Sequence, residues 1–298
     1  MHIHWLQWGG ISELKNLFNQ IHENLLHGSG ICVVKNVPID DDNVSYLSIA
    51  KSFSGELLRD SRMPSRSLEA DTVIYRVEED PLNTDAYAHS ATNAHFPLHT
   101  DCAHFLYPAE VVMLLCVQPS TNDGDGKTIL TDVDDILTML TEQQISELAI
   151  SRFTWWQGTN KQVRVPILTK SDDGRWRIRF NQATLMREMN ASDFAKSSVL
   201  QSLIEVLEKI ELNPSNSISL TANDLLIVHN QRVLHGRTAF TSNTSRLLKR
   251  IRIEHSEVLK VVLTVNKWSS KPRRSTITSL QYSLRSQNEQ NYFQSFKY

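Results

Sequence analysis

The sequence has little cysteine and no long apolar run, and each absence excludes a class of protein. Three cysteines in 298 residues are too few for a disulfide framework. The longest purely apolar run, Val111 to Val117, is far shorter than the ~20 residues that cross a bilayer. The N-terminus also lacks the basic start and apolar core of a signal peptide. We therefore expect a reduced, cytoplasmic protein that is not embedded in a membrane.

The chain also lacks a large excess of either charge. It has 31 Lys+Arg against 33 Asp+Glu, a net charge of −2 with histidine neutral. Partners such as nucleic acids usually require a basic surface, so we expect none here. Apolar residues make up 40% and charged residues 21%, which is typical of a globular chain with a core. This length favours about two domains, although a single all-β domain with added helices reaches the same size.

The first third of the chain predicts two helices around a short strand. Apolar residues recur at helical spacing from Ile11 to Leu25, and a second helix is predicted over 42–53. Between them, Ile31 to Val37 is typical of a buried strand. Residues 54–95 show little periodicity, and a long irregular stretch in a compact protein is often a functional loop. We interpret 54–95 as a lid over the site.

From residue 96 onwards the pattern changes to short strands separated by turn residues, with helices predicted over 134–150 and 192–212. The predicted strands are 96–101, 110–118, 127–133, 153–157, 163–169, 175–181, 217–220, 225–230 and 246–255. Many short strands with helices outside them indicate a mainly β fold of the sandwich or jelly-roll type.

The last 31 residues, 268–298, differ in composition from the rest. They hold five Lys/Arg and one acid, a net charge of +4, among many Ser, Gln and Asn. We interpret them as a polar, basic extension that follows a single domain over 1–267.

The first candidate site is a histidine and a carboxylate two residues apart, in Pro97-Leu98-His99-Thr100-Asp101. Residues two apart on a strand point to the same face, so His99 and Asp101 offer an imidazole and a carboxylate to one point. The same spacing recurs at His255 and Glu257, so the pair alone does not define a site.

A second motif follows the predicted strand 225–230. It comprises His229-Asn230-Gln231-Arg232-Val233-Leu234-His235-Gly236-Arg237, and Arg246 comes eleven residues after His235. Two histidines and one carboxylate form a facial triad on an octahedral metal and leave three positions open. A guanidinium nearby binds a carboxylate through two parallel hydrogen bonds.

Together these motifs, with Thr128 after the Gly126-Lys127 turn and Arg246-Leu247-Leu248-Lys249-Arg250, resemble the Fe(II)/2-oxoglutarate dioxygenases of the taurine dioxygenase (TauD/TfdA) superfamily and its clavaminate-synthase-like branch. The resemblance runs from about Gly30 to His255. It implies a double-stranded β-helix, the cupin-like jelly roll, with Fe(II), 2-oxoglutarate and O₂ as cofactor and co-substrates.

Carried over to this sequence, the resemblance makes His99, Asp101 and His235 the iron ligands. Arg246 and Thr128 would bind the distal carboxylate of 2-oxoglutarate, and Arg250 would lie near its other end or near the substrate. The chain departs from the family at Gly126-Lys127, where many members have Gly-Gly, and at His229, where many have Asp. His229 is therefore a rival to His235 as the third ligand, although the spacing to Arg246 favours His235.

The resemblance implies conversion of 2-oxoglutarate to succinate, coupled to hydroxylation or desaturation of a small molecule. Asp101 is present where the family's halogenases have a small residue, which disfavours halogenation. We expect an amino-acid-derived substrate in secondary metabolism, on the clavaminate-like character of the segment His235 to Phe240. The alternatives are a zinc-dependent hydrolase, which uses the same ligand types, and a non-catalytic jelly-roll binding module.

Alternating Arg175, Arg177 and Arg179 are interpreted as the exposed face of a half-buried strand.

Overall fold

The computed structural model describes residues 2–59, 73–83, 89–122, 124–156, 162–188, 194, 196–242 and 245–254. The α-helices in this part of the chain are α1 (Leu14–His27), α2 (Val44–Lys51), α3 (Val133–Leu137), α4 (Glu142–Ile150), α5 (Gln182–Glu188) and α6 (Ser198–Glu211). The predicted extension 268–298 lies outside the described residues, as do residues 60–72 and 84–88 of the predicted lid.

The strands precede, separate and follow these helices. They are β1 (His4–Gln7), β2 (Ile31–Lys35), β3 (Glu56–Leu57), β4 (Tyr75–Val77), β5 (Phe96–His99), β6 (Val111–Gln118), β7 (Thr128–Asp132), β8 (Phe153–Trp156), β9 (Gln162–Val165), β10 (Leu168–Lys170), β11 (Trp176–Ile178), β12 (Ser217–Ile218), β13 (Leu225–His229), β14 (Val233–Arg237) and β15 (Leu247–Glu254).

Two sheets account for most of these strands. Sheet I has the order β1-β2-β13-β6-β15-β3, with β4 also paired to β15. Sheet II has the order β12-β7-β14-β5. Two hairpins, β8-β9 and β10-β11, stand apart from both. The fold is therefore mainly β with flanking helices, as predicted.

Side chains alternate along the strands between a face shared by the two sheets and a face covered by helices. On β2, Ile31 and Val33 belong to an apolar cluster that also holds Leu130 and Val233 of sheet II. The next residues, Cys32 and Val34, instead join α1 and α2 in a second cluster. A third cluster packs α3, α4 and α6 against the outer face of sheet II. Each sheet therefore turns one face towards its partner and the other towards helices.

Several predicted elements are wrong in extent. The predicted helix 134–150 is two helices, because Thr141 caps α4 in a capping box with Gln144. The predicted strand 163–169 is divided between β9 and β10, with Pro166, which has no N–H to donate, at the break.

Other elements were not predicted from the sequence. These are β1, α5 and β14, and β14 is the strand that carries His235. Within the predicted lid, two short strands, β3 and β4, pair with β15 and so form part of sheet I. Among the described residues, no helix is long and apolar enough to cross a membrane.

Candidate metal centre

Strands β5 and β14 bring the two candidate histidines together. They pair antiparallel, with His99 directly opposite His235. Leu98 and Leu234 point outwards into the helix-covered cluster, so the neighbouring histidines point to the face shared by the sheets. Their ring centroids are 4.4 Å apart, and both side chains are buried.

Asp101 completes the group, two residues after His99. Its Oδ1 lies 3.5 Å from His99 Nε2 and 3.7 Å from His235 Nε2. One ligand atom from each of the three residues lies within 4.8 Å of the others. Neighbouring ligands of an octahedral metal are about 3 Å apart at metal–nitrogen distances near 2.1 Å. The three side chains can therefore hold one metal ion if their ligand atoms move closer together on binding it.

The ring of His99 is fixed from two sides. Its Nδ1 lies 2.9 Å from the Pro97 carbonyl, to which it donates, and this leaves the lone pair on Nε2 for a metal. The Phe96 ring stacks on the imidazole at a centroid distance of 3.8 Å. Within the described part of the chain, His99 Nε2 is buried without a hydrogen-bond partner, as expected for an atom that awaits a ligand.

The charges of the site also suit a metal. Burial raises the pKa of Asp101, but the Arg250 guanidinium, whose Nη1 lies 3.1 Å from Oδ2, acts together with His99, His235 and Arg252 to hold this pKa well below its usual value. Burial, followed by the charge of His99, lowers the pKa of His235 to about 3. At neutral pH, Asp101 is therefore ionised and His235 neutral, the forms that coordinate metals.

Asn230 holds the main chain of Asp101, a role that the sequence motif did not reveal. Its Oδ1 accepts from Asp101 N at 2.7 Å, and its Nδ2 donates to Asp101 O at 3.0 Å and to Ala109 O at 2.8 Å. Asn230 is fully buried in the turn between β13 and β14. Asn230 therefore connects the turn before β14, the strand of His235, to Asp101 through hydrogen bonds.

Gly236 allows β14 to approach β5 closely. A Cβ at this position would lie 2.8 Å from Phe96 O and 3.1 Å from Leu98 N, beside a register shift in the pairing. These contacts are with main-chain atoms of β5, which cannot move without displacing the strand. The glycine next to His235 is therefore required by the pairing that joins the two histidines.

Gly236→Ala is expected to separate β5 from β14, to destabilise the fold by about 1–3 kcal/mol and to weaken metal binding. The measurement is chemical unfolding of the apoprotein together with Co(II) titration. Gly174→Ala is the control, since a Cβ there meets nothing within 4 Å and causes only turn strain at φ +81°. Equal Co(II) affinity in the two variants would contradict this account of Gly236.

Thr128 and Arg246 line one cavity of about 310 Å³, together with Ser120 and Gly126. None of the three candidate metal ligands belongs to its lining. Gly126 leaves room for the guanidinium, because a Cβ there would lie 2.9 Å from Arg246 Nε. Among the described residues, Arg246 Nη1 is buried without a hydrogen-bond partner. An anion in this cavity would therefore find a cation, the Arg246 guanidinium, and a hydroxyl, that of Thr128.

Phe240 supports the Arg246 guanidinium from the side. The Phe240 ring centroid lies 5.2 Å from Arg246 Cζ and 4.7 Å from Arg237 Cζ, so two cations share one aromatic ring. Burial lowers the pKa of Arg246 to about 10, which leaves the group charged at neutral pH.

Arg250 lies on β15 in sheet I and reaches Asp101 from the opposite sheet. Its Cζ also stands 4.8 Å from the Tyr75 ring centroid. Arg250 is not among the residues that line the cavity of Arg246. The two arginines of the Arg-x-x-x-Arg motif therefore face different parts of the site.

His229, the rival third ligand, is not a member of the His99, Asp101 and His235 group. It ends β13 opposite Val111 of sheet I, and its Nδ1 accepts from Gln231 N at 3.3 Å. Burial, followed by the charge of Arg177, lowers the pKa of His229 to about 3. Its surroundings are those of a neutral structural histidine.

The prediction that Arg175, Arg177 and Arg179 form an exposed face is wrong, since all three are half-buried. Arg177 Nη1 donates to Gln231 Oε1 at 3.0 Å, and Arg179 donates to main-chain carbonyls after Asp101. The reason is that the three side chains meet protein instead of water: Arg175 bonds Leu26 O, Arg177 bonds Gln231, and Arg179 bonds the carbonyls of residues 103–106.

The chain is similar to a known protein family over most of its length. Residues 11–252 match the model of the taurine catabolism dioxygenase TauD, TfdA family. No curated protein matches the sequence.

Several solved structures are similar in fold. An asparagine oxygenase in complex with Fe(II), 3-hydroxyasparagine and succinate matches with a TM-score of 0.60 at 15% identity, over 84% of this chain and 93% of its own. The non-heme iron oxygenase OrfP, with Fe and α-ketoglutaric acid, matches with a TM-score of 0.59 at 15% identity, over 85% and 94%. PvcB from Pseudomonas aeruginosa matches with a TM-score of 0.57 at 18% identity, over 84% of both chains.

Proposed function

Because the chain belongs to the taurine catabolism dioxygenase TauD, TfdA family, we propose that His99, Asp101 and His235 hold its iron. As a member of this family, the protein is a non-haem Fe(II)- and 2-oxoglutarate-dependent dioxygenase. The observation that carries the ligand assignment is the pairing of His99 with His235, with Asp101 Oδ1 within 3.7 Å of both Nε2 atoms.

Arg246 and Thr128 are proposed to bind the distal carboxylate of 2-oxoglutarate. The support is their shared cavity and the unpartnered, buried Nη1 of Arg246. A charged hydrogen bond in a buried site both anchors this carboxylate and aligns the molecule. Arg250, beside Asp101, is proposed to face the other end of 2-oxoglutarate or the substrate.

When bound, the iron with 2-oxoglutarate and O₂ supplies an oxidant that removes hydrogen from a substrate carbon, while 2-oxoglutarate becomes succinate and CO₂. The side chains of this protein supply the ligands, the orientation and the exclusion of water. Ionised Asp101 and neutral His235 need lose no proton to coordinate, and Arg250 compensates the buried carboxylate charge. The three ligands would occupy one face of the iron and would leave three positions for co-substrates.

The substrate is proposed to be a small, amino-acid-derived metabolite that is hydroxylated or desaturated. Two of the similar structures support this class, since one is an asparagine oxygenase and OrfP has also been solved with (3S)-hydroxy-L-Arg. A third, PvcB, is described as an oxygenase of an isonitrile synthetic pathway. Because a carboxylate, Asp101, is present where the family's halogenases have a small residue, halogenation is not proposed.

The remaining assignments are part of the same proposal. We propose a double-stranded β-helix built from sheets I and II, a single domain over 1–267 with a lid at 54–95, and a separate basic extension. A cytoplasmic location without nucleic-acid or membrane partners stays a prediction. The support for the cytoplasmic location is that the three cysteines Cys32, Cys102 and Cys116 are all free and buried.

The test is a substrate screen that measures succinate. Protein with Fe(II), 2-oxoglutarate and O₂ is incubated with the L-amino acids and their N-acyl derivatives, and separately with sulfonates and aryloxy acids. We expect an amino-acid derivative to stimulate succinate release, with a product 16 mass units heavier or 2 lighter. Stimulation by sulfonates or aryloxy acids alone would overturn the substrate class but not the cofactor assignment. No succinate under any condition would overturn the function.

A further inference from the structure

Residues 101–109 form a loop that begins at the candidate ligand Asp101 and returns to the start of β6. Asn230 closes the loop at its base, because its side chain bonds both Asp101 and Ala109. Cys102 adopts φ +59°, an unusual conformation for a residue with a side chain. The path of the chain directly after Asp101 therefore depends on what holds the loop in place.

Arg179 holds the inside of this loop. Its Nη1 donates to Phe105 O at 2.6 Å and to Ala103 O at 3.2 Å, and its Nη2 donates to Leu106 O at 3.1 Å. One planar guanidinium therefore donates hydrogen bonds to three carbonyls within four residues. A guanidinium matches such an arrangement because its donors have fixed directions.

The main chain of Arg179 is itself anchored close to the metal centre. The next residue, Phe180, donates its N–H to Thr100 Oγ1 at 3.1 Å, and Thr100 N donates to Phe180 O at 2.7 Å. Arg179 N donates to Ile167 O at 2.9 Å. The main chain next to Arg179 is therefore bonded to Thr100, the residue between His99 and Asp101. The side chain of Arg179 binds the loop that follows Asp101.

We propose that Arg179 is a positioning residue that fixes the loop 101–109 and, through it, the carboxylate of Asp101 in the geometry of a metal ligand. This inference rests on the proposed assignment of Asp101 as a ligand. Without the guanidinium, the carbonyls of Ala103, Phe105 and Leu106 lose the hydrogen bonds that it donates. Asn230, Gln231 and Arg252 still bond other points of the loop. Loss of a group bonded directly to a metal ligand typically weakens metal binding by about 10–100-fold. Arg179 acts one contact further away, through the loop, so we expect a loss at the lower end of this range.

The test uses Arg179→Met, which keeps the length and apolar packing of the side chain but removes its donors. Co(II) is titrated anaerobically into the apoprotein, and its visible ligand-field bands report both affinity and ligand geometry. We expect about 10-fold weaker Co(II) binding with altered bands for Arg179→Met, and a smaller loss for Arg179→Lys. The control is Arg152→Met, which removes an exposed arginine bonded to Arg164 O and is expected to leave the titration unchanged.

The outcomes separate this inference from the proposed function. Unchanged Co(II) affinity and bands in Arg179→Met, even with a lower melting temperature, would make Arg179 merely structural and overturn the proposal. If Arg179→Met does not fold, Arg179→Lys decides, and wild-type affinity and bands in that variant would overturn it. Wild-type protein that binds no Co(II) would overturn the ligand assignment and the inference with it.

Discussion

His235→Ala is expected to abolish metal binding and to lower succinate release by at least about 10³-fold, equivalent to about 4 kcal/mol of lost transition-state stabilisation. His235 is proposed as one of three ligands, and without it only His99 and Asp101 would remain to hold the metal. The apoprotein is expected to stay folded, because the imidazole is buried with an Nδ1 that has no partner among the described residues. The measurement is metal content after dialysis against Fe(II) or Co(II), together with succinate release.

His229→Ala is the matched control for His235→Ala. Both histidines are buried, both have a pKa lowered to about 3, and they stand six residues apart in the same motif. His229 lies outside the group of His99, Asp101 and His235, so its variant is expected to retain one metal per chain. If His229→Ala loses the metal and His235→Ala keeps it, the third ligand is His229 and the assignment is wrong.

Arg246→Gln is expected to raise the KM for 2-oxoglutarate by about 10²-fold, or about 3 kcal/mol, with a smaller effect on kcat at saturation. The guanidinium is proposed to bind the distal carboxylate equally before and during reaction, so its loss would weaken binding more than turnover. The measurement is succinate release as a function of 2-oxoglutarate concentration, with the amino-acid substrate held constant.

The co-substrate provides a chemical control for Arg246→Gln. 2-Oxopentanoate has the same chain length as 2-oxoglutarate but no distal carboxylate. The wild-type protein is expected to prefer 2-oxoglutarate strongly, and Arg246→Gln is expected to lose most of that preference. Arg250→Gln is expected to keep it, since Arg250 contacts Asp101 and not the cavity of Thr128. An unchanged KM in Arg246→Gln would remove Arg246 from the 2-oxoglutarate site.

The sequence predicted the candidate metal centre better than it predicted the strands that form it. The motif around His235 was assigned from its order and spacing, although β14 itself was not predicted. That strand is only five residues long and includes Gly236 and Arg237, so its apolar alternation is too short to detect. The tertiary pairing of His99 with His235 confirmed that the two motifs meet.

Some errors had signals that were available in the sequence. Thr141 followed by Gln144 is a capping box inside the predicted helix 134–150, and it marks the start of α4. Pro166 similarly marks the break inside the predicted strand 163–169. Both positions show that residues which begin or interrupt an element carry more information than the apolar pattern alone.

Asn230 and Arg179 had no such signal. Each acts through hydrogen bonds to main-chain atoms far away in sequence, Asn230 to Asp101 and Arg179 to the carbonyls after it. Main-chain partners leave no residue type to recognise, and the separations of about 130 and 75 residues leave no periodicity. Contacts of this kind become visible only when the fold is known.

The most direct measurement is the visible spectrum of the apoprotein under anaerobic conditions, first with Fe(II) and then with 2-oxoglutarate. The account predicts a weak metal-to-ligand charge-transfer band that appears only when both are present and that is absent in His235→Ala. Such a band requires the keto acid to chelate an iron with open coordination positions. No band in the wild-type protein, with stoichiometric zinc retained through purification, would contradict the account and favour a zinc-dependent hydrolase.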